Sequence, residues 1–180
     1  LLIVGDMVIF ESAVINEYID EAYPPKLHPE DLLIKAINRS WIEFCNNISL
    51  YTFQLSIKES EGEFKDTLEL MLNDFDLVEN CLEDSPFFNG KQFSLVDSSY
   101  APVFQRLDFL EQIYKPIITS ERHPKLVIWK DNLLSLEAVK HSAVEDIQSL
   151  YYKLLWTRQG HISQYLSEKD YGKRPPKSTY

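Results

Sequence analysis

The sequence predicts a mainly α-helical protein that begins with a β-hairpin and one short helix. Two short runs rich in β-branched residues, 1–4 and 7–10, stand at the start of the chain, and nothing further along resembles a strand. From residue 31 onward apolar residues recur at spacings of three and four, the period of a helix with one buried face. A proline-dense stretch, residues 23–29, separates the two parts.

The bulk composition is that of an ordinary folded protein and argues against nucleic-acid binding. The 180 residues are 44% hydrophobic and 26% charged, with a net charge of −10. Nucleic-acid-binding proteins usually carry a basic surface, and here the basic residues cluster only near the end, among acidic residues and prolines. That cluster is Lys169, Lys173, Arg174 and Lys177. We expect a solvated tail there. No apolar run reaches the length that spans a bilayer, so no membrane segment is expected.

The cysteines and histidines predict neither a disulfide framework nor a metal site. Cys45 and Cys81 form no CxxC motif and no ligand spacing with the four histidines. This usage is typical of a reducing, cytoplasmic environment. Both cysteines lie in periodic segments, so we expect buried structural thiols rather than nucleophiles. The histidines are expected at surface or capping positions.

The first element is a hairpin whose two-residue turn, Gly5-Asp6, suits a type II′ geometry. An isolated two-stranded hairpin is marginal in water, so we expect its partner strands to precede Leu1. A helix over residues 13–22 follows, with Ser12 as its expected N-cap. Val14 and Tyr18 are expected on one side of this helix, with Ile15 and Ile19 as further candidates for that side.

Two long antiparallel helices come next. Asp31 is the expected cap of the first, and after Gly62 the same apolar spacing resumes for the second. The first helix is predicted to bury Ile34, Ile37, Trp41, Phe44, Ile48, Tyr51 and Leu55. The second is predicted to bury Phe64, Leu68, Met71, Phe75, Val78 and Leu82.

Three further helices are predicted from their start and stop residues. Ser94 and Asp97 form a capping box with Asp in place of the usual Glu or Gln, and Pro102 should kink the helix that they open. His123-Pro124 starts the next helix, with Pro at its favoured first position. A Ser142–Glu145 capping box is expected to open the last long helix. We expect Gly160 to end that helix, before a short helix over residues 161–166.

Several local strings resemble the cytosolic glutathione transferase family, in bacterial members especially. Residues 8–15, Val-Ile-Phe-Glu-Ser-Ala-Val-Ile, are similar to its glutathione-site segment, a strand that ends in Glu-Ser and leads into a helix. Residues 36–44 are similar to the first helix of its C-terminal domain. The most specific match is residues 88–97, which resemble the family's Gly-x-x-apolar-Ser/Thr-x-x-Asp box. Ser98 departs from the pattern, because an apolar residue usually follows the Asp.

The resemblance implies a domain organisation. Residues 1–23 would be the C-terminal part of a thioredoxin-like glutathione-binding α/β domain, here its β-hairpin–helix end, and residues 24–30 the linker. Residues 31–166 would be an all-helical C-terminal domain, and residues 167–180 a tail. The alignment places the family's cis-proline and its catalytic Tyr, Ser or Cys before Leu1, so we expect an N-terminal truncation.

The resemblance also implies a function. Glutathione would be the co-substrate, bound by Glu11 and Ser12, while Ser94 and Asp97 would have a structural role as the capping box. The implied activity is conjugation of glutathione to an electrophile, or glutathione-dependent thiol transfer, by a cytoplasmic homodimer that needs no metal. The residues alone favour Ser12 as a simple cap and Glu11 as a surface residue, and the resemblance reverses that preference. The alternative function is a non-catalytic interaction module of the stringent-starvation or translation-associated type.

Overall fold

The computed structural model describes residues 1–175 and confirms the mainly helical architecture. The hairpin consists of β1 (Leu2–Val4) and β2 (Met7–Ile9), antiparallel, with Leu2 opposite Ile9. Gly5 in the turn has a φ of 59°, which a residue without a Cβ adopts at little cost. Most side chains of the hairpin are exposed to solvent.

Helix α1 spans Ser12–Ala22 and begins one residue earlier than predicted. Glu11 is its N-cap, which corrects the expectation that Ser12 holds that position. Of the apolar side of α1, Val14 is exposed and Ile15 and Tyr18 are half-buried, while the one buried residue of the helix is Asp20. The Asp20 carboxylate accepts hydrogen bonds from the backbone N–H groups of Leu27 and His28, so it ties α1 to the segment that follows.

Helices α2 (Leu32–Leu55) and α3 (Glu61–Cys81) form the long pair. Asp31 caps α2 as predicted, by accepting from the backbone N–H groups of two residues in its first turn. The predicted stripe of α3 is fully confirmed. The stripe of α2 is partly wrong, since Ile34 and Ile37 are exposed. Its buried face is rotated and consists of Asn38, Ile42, Cys45, Ile48, Thr52 and Leu55.

The rest of the bundle is α4 (Leu95–Ile113), α5 (Pro124–Ser135), α6 (Glu137–Lys140), α7 (Ile147–Arg158) and α8 (Glu168–Tyr171). A 3₁₀ turn, His161–Tyr165, lies between α7 and α8. Helix α4 remains continuous through Pro102. It packs against α1, α2 and α5, so it is the central helix of the bundle. Its Val96, Tyr100, Phe104, Leu107 and Leu110 are completely buried.

One predicted helix start is wrong, whereas the predicted helix end before Gly160 is right but depends on a different residue. Ser142 opens no helix, because its hydroxyl donates to the Val139 carbonyl at the end of α6, and α7 begins only at Ile147. The left-handed residue that ends α7 is Gln159, with a φ of 55°. Gly160 has an ordinary φ and is needed for close packing instead, since a Cβ there would lie 2.7 Å from the Ser56 carbonyl oxygen.

Candidate functional site

The N-terminus of α1 presents polar groups without partners. Its first helical hydrogen bond runs from Ile15 N–H to the Glu11 carbonyl, at 2.9 Å, so the N–H groups of Ser12, Ala13 and Val14 have no intrahelical acceptor. Within residues 1–175 the Ser12 hydroxyl makes no hydrogen bond, and no acidic residue occupies the first turn. Together with the helix dipole, these groups suit a bound carboxylate.

Glu11 precedes this turn in an unusual backbone conformation. It has φ 68° and ψ 121°, and it is one of two described non-glycine residues with a positive φ, the other being Gln159. Such a conformation costs of order 1–3 kcal/mol and tends to occur at ligand sites. The Glu11 side chain is exposed and makes no capping bond to α1. Its carboxylate is therefore available to a ligand beside Ser12.

A cavity of about 630 Å³ begins at this helix end and continues between α2, α4 and α7. That volume lies within the range of small-molecule sites. The structure brings Ser12 into the cavity wall but leaves Glu11 out of it. Apolar side chains from three helices form much of the wall, namely Ile42, Val103, Phe109, Leu150 and Leu154. Two basic residues, Arg106 and Arg158, also line the cavity.

Sequence reasoning did not identify this cavity, because its wall is assembled from residues far apart in the chain. One polar contribution could have been found, since Pro102 lacks an N–H group and leaves the Ser98 carbonyl without its helical donor. Ser98 and Pro102 both line the cavity. The departure from the family pattern at Ser98 therefore places a polar residue in the cavity wall.

The thiol and phenol groups of the cavity are poor nucleophiles. Burial raises the pKa of the Cys45 thiol to about 12, and that thiol donates to the Ser99 carbonyl oxygen. Burial also raises the pKa of Tyr151 to about 12. Cys45 is therefore a buried structural thiol, as expected. Cys81 is exposed, contrary to expectation, because it lies at the end of α3.

Ser94 and Asp97 are placed away from the cavity, at the start of α4, in the capping-box arrangement. The Ser94 N–H and hydroxyl donate to Asp97 Oδ2 at 2.7 and 2.6 Å. Asp97 Oδ1 accepts from Phe88 N–H at 2.9 Å and from Trp129 Nε1 at 2.7 Å. This completely buried carboxylate therefore joins the 82–94 loop, α4 and α5.

Two histidines are buried, His28 and His123. His28 corrects the expectation of surface or capping positions, whereas His123 is the N-cap residue of α5 and so holds one of the expected positions. His123 is fully enclosed, and its Nε2 lies 2.8 Å from Asp76 Oδ1. The Arg122 guanidinium, with help from His123, lowers the pKa of Asp76. His28 is 5% exposed, and neither of its ring nitrogens has a hydrogen-bond partner in the described part of the chain. His141 is exposed and His161 is half-buried.

No cluster of three or more His, Cys, Asp and Glu residues that could hold a metal ion occurs within residues 1–175. Over the same residues, no helix is both long enough and apolar enough to cross a membrane. Of the tail, Pro176 and Lys177 lie outside the described residues.

Comparison with known proteins gives a consistent family match. Residues 61–129 match the family described as "Glutathione S-transferase, C-terminal domain". The chain is 32% identical over 143 residues to a probable glutathione S-transferase of Glycine max, covering 73% of this chain and 60% of that protein. It is 30% identical over 141 residues to glutathione S-transferase omega-1 of Sus scrofa, covering 77% of this chain and 57% of that one.

Solved structures show the same fold. The Tau class glutathione S-transferase of Mangifera indica superposes with a TM-score of 0.71 at 23% identity, over 84% of this chain and 73% of the other. Glutathione transferase Omega 3C of Trametes versicolor gives a TM-score of 0.68 at 22% identity, over 75% and 62%. The chain spans about 60% of the length of the curated relatives named above. These relatives come from plants, a mammal and a fungus, and the bacterial type stays a prediction.

Proposed function

Because the chain belongs to the glutathione S-transferase family, we propose that it binds glutathione at the N-terminus of α1 and an apolar electrophile in the adjoining cavity. The observation that carries this proposal is the position of Ser12. This residue stands at once on the first turn of α1, where a carboxylate is favoured, and in the wall of a cavity of substrate size.

The γ-glutamyl end of glutathione carries one carboxylate and one ammonium group, and the helix terminus offers a partner for each. The carboxylate would accept from the Ser12 hydroxyl and from the free N–H groups of the first turn. The ammonium would pair with the exposed Glu11 carboxylate. Since Glu11 makes no capping bond and Ser12 no hydrogen bond to the described chain, neither side chain is needed to hold the helix.

The reaction supported best is attack of the glutathione sulfur on an electrophilic carbon. A carbon–sulfur bond forms, and the electron pair leaves with a displaced group or shifts into an activated double bond, while the thiol proton passes to solvent. Thiol activation needs a group that lowers the thiol pKa. Cys45 and Tyr151 have raised pKa values, so we assign neither of them that role. Residues 1–175 would then bind the two substrates and align them for the reaction.

A homodimer in the cytoplasm belongs to the same proposal. Apolar side chains are exposed near the start of α2, and an exposed apolar patch typically marks an interface. They are Leu32, Leu33, Ile34 and Ile37. The homodimer would cover these side chains with a second copy of the chain.

The glutathione site can be tested by titration calorimetry with glutathione and by retention on immobilised glutathione. A hydrogen bond to a charged group is worth about 1.5–3 kcal/mol, so Ser12→Ala should weaken binding by roughly tenfold or more. Ser120→Ala changes an exposed residue between α4 and α5, is the matched control and should leave the affinity unchanged. If the unaltered chain binds no glutathione in either assay, the enzyme function is wrong and the interaction module is favoured.

A further inference from the structure

The geometry points to a substrate class for the cavity: an electrophile with an apolar body that carries one anionic group, a carboxylate or a sulfonate. Arg106 and Arg158 would bind that group, with Tyr151 as a third donor. The inference rests on the proposed function, since it names the substrate class of the same cavity.

The charges of the cavity wall are opposite to those of the chain. The chain contains 28 Asp and Glu residues against 18 Lys and Arg. Of the 22 residues that line the cavity, none is acidic and two are arginines. Asp108, which precedes Phe109 on α4, is not part of the wall, and its carboxylate accepts instead from Gln112. A cleft whose charged side chains are all positive attracts anions.

Both guanidinium groups are held by neutral partners. Arg106 Nη1 donates to the Pro102 carbonyl oxygen at 2.8 Å, and Arg158 Nη1 donates to the Ser56 hydroxyl at 2.6 Å. Arg158 also stacks on Phe53, with Cζ 4.7 Å from the ring centroid. A guanidinium has five N–H donors in a planar fork, so each arginine retains donors that match a carboxylate or sulfonate.

Tyr151 supplies the third donor. Its hydroxyl is buried and has no hydrogen-bond partner within residues 1–175. Burial raises the pKa of Tyr151 to about 12, while Arg106 and Arg158 act to lower it. The phenol therefore keeps its proton at neutral pH, and both arginines lie close enough to act on it electrostatically. A buried hydroxyl of this kind usually has a partner, and a ligand oxygen would provide one.

The apolar body of the ligand has its own surface. Leu150 and Leu154 project from α7, 46% and 41% exposed, and Val103 and Phe109 line the cavity from α4. An apolar group that covers these side chains gains roughly 25 cal/mol for each Å² removed from water. The cavity thus combines an apolar wall with a cationic pair, which is the complement of an amphiphilic anion.

The test compares two fluorescent probes that differ only in the anionic group: 8-anilinonaphthalene-1-sulfonate and its uncharged parent, N-phenyl-1-naphthylamine. The unaltered chain should bind the sulfonate at least tenfold more tightly than the parent compound. The double variant Arg106→Met/Arg158→Met should lose that preference, with binding of the parent changed by less than twofold. Lys153→Gln removes a charge from the exposed face of α7 and should change neither affinity.

The charge-preserving variant Arg106→Lys/Arg158→Lys separates loss of charge from loss of packing, and should keep the preference to within about threefold. Glutathione calorimetry on the same proteins separates this inference from the proposed function. The methionine variant should bind glutathione with unchanged affinity. Ser12→Ala should bind glutathione more weakly and should bind the sulfonate with unchanged affinity. Equal binding of the two probes by the unaltered chain would overturn the inference. The inference would also be overturned if the methionine variant lost glutathione binding but kept the preference for the sulfonate. The two arginines would then bind glutathione and not the anionic group of the electrophile.

Discussion

At the scale of single residues, Glu11 combines a backbone cost with a proposed ligand contact. Its φ of 68° is unfavourable for a side chain with a Cβ, and no capping bond offsets the cost. A glycine would adopt this φ freely but would lack the carboxylate. The proposed function therefore requires that stability and affinity move in opposite directions at this position.

We expect Glu11→Gly to raise the free energy of unfolding by about 1 kcal/mol and to weaken glutathione binding. Glu11→Ala is the matched control, because it removes the carboxylate and keeps the unfavourable φ. Glu11→Ala should weaken glutathione binding as much as Glu11→Gly does, but it should not raise the free energy of unfolding. Urea denaturation and calorimetry measure the two quantities. If Glu11→Gly bound glutathione as tightly as the unaltered chain, Glu11 would have no role at the site.

His28 makes stability depend on pH. Burial lowers its pKa below the ordinary value of 6.5, and nearby Glu17, 3.7 Å from Nε2, only partly opposes the shift. The unfolded chain takes up a proton near pH 6.5, whereas the folded ring does so only at lower pH. Between these two values the unfolded state binds more protons, so stability falls as the pH falls through 6.5.

Unfolding measured in urea between pH 8 and pH 5 should show this decline for the unaltered chain. His28→Leu removes the titrating ring and should flatten the part of the curve just below pH 6.5. A decline of equal size in His28→Leu would show that another group is responsible.

At the scale of elements, the sequence predicts those helices whose ends are marked locally. Asp31 and the Ser94–Asp97 pair act within three or four residues, so their spacing alone locates a helix start. A third start was available and missed: Ser60 and Glu63 form a complete capping box at α3. Ser142 has the same spacing to Glu145, yet it bonds backwards to α6, because a neighbouring element offers its hydroxyl another acceptor.

The buried face of a helix is predicted less well than its ends, because it depends on partners elsewhere in the chain. Ile34 and Ile37 fit the helical period of α2 but stay exposed. The cavity illustrates the same limit. Ser12 could be identified from its motif, whereas Arg158, 146 positions away, becomes part of the wall only through tertiary packing.

The junction between α7 and the 3₁₀ turn offers a test of packing. A Cβ at Gly160 would meet the Ser56 and Lys58 carbonyl oxygens at 2.7 and 3.1 Å, so Gly160→Ala should destabilise the fold by about 1–3 kcal/mol. Gly62→Ala is the matched change, with nothing within 4 Å in the first turns of α3, and should be stabilising by up to about 1 kcal/mol. Thermal or urea unfolding measures the change in stability for each variant. Equal changes in the two variants would refute the packing argument.

At the scale of the whole molecule, the exposed apolar side chains predict self-association. Sedimentation at micromolar concentration should give twice the 21.1 kDa chain mass. Leu33→Glu places a charge on the exposed apolar start of α2 and should shift the protein towards the monomer. Ile128→Glu alters an exposed residue on α5, remote in the chain from that region, and should not. A monomeric unaltered chain would contradict the proposed homodimer.

The cationic cavity in an acidic protein has a consequence for binding kinetics. An approaching anion meets the repulsion of a net charge of −10 before it comes under the influence of the two arginines. Dissolved salt screens both fields within about 8–10 Å, so it should quicken the encounter and also shorten the residence time of the bound anion. As the ionic strength rises, the association rate of the anion would then increase while its affinity decreases. For an uncharged ligand of the same shape, neither quantity would change with ionic strength.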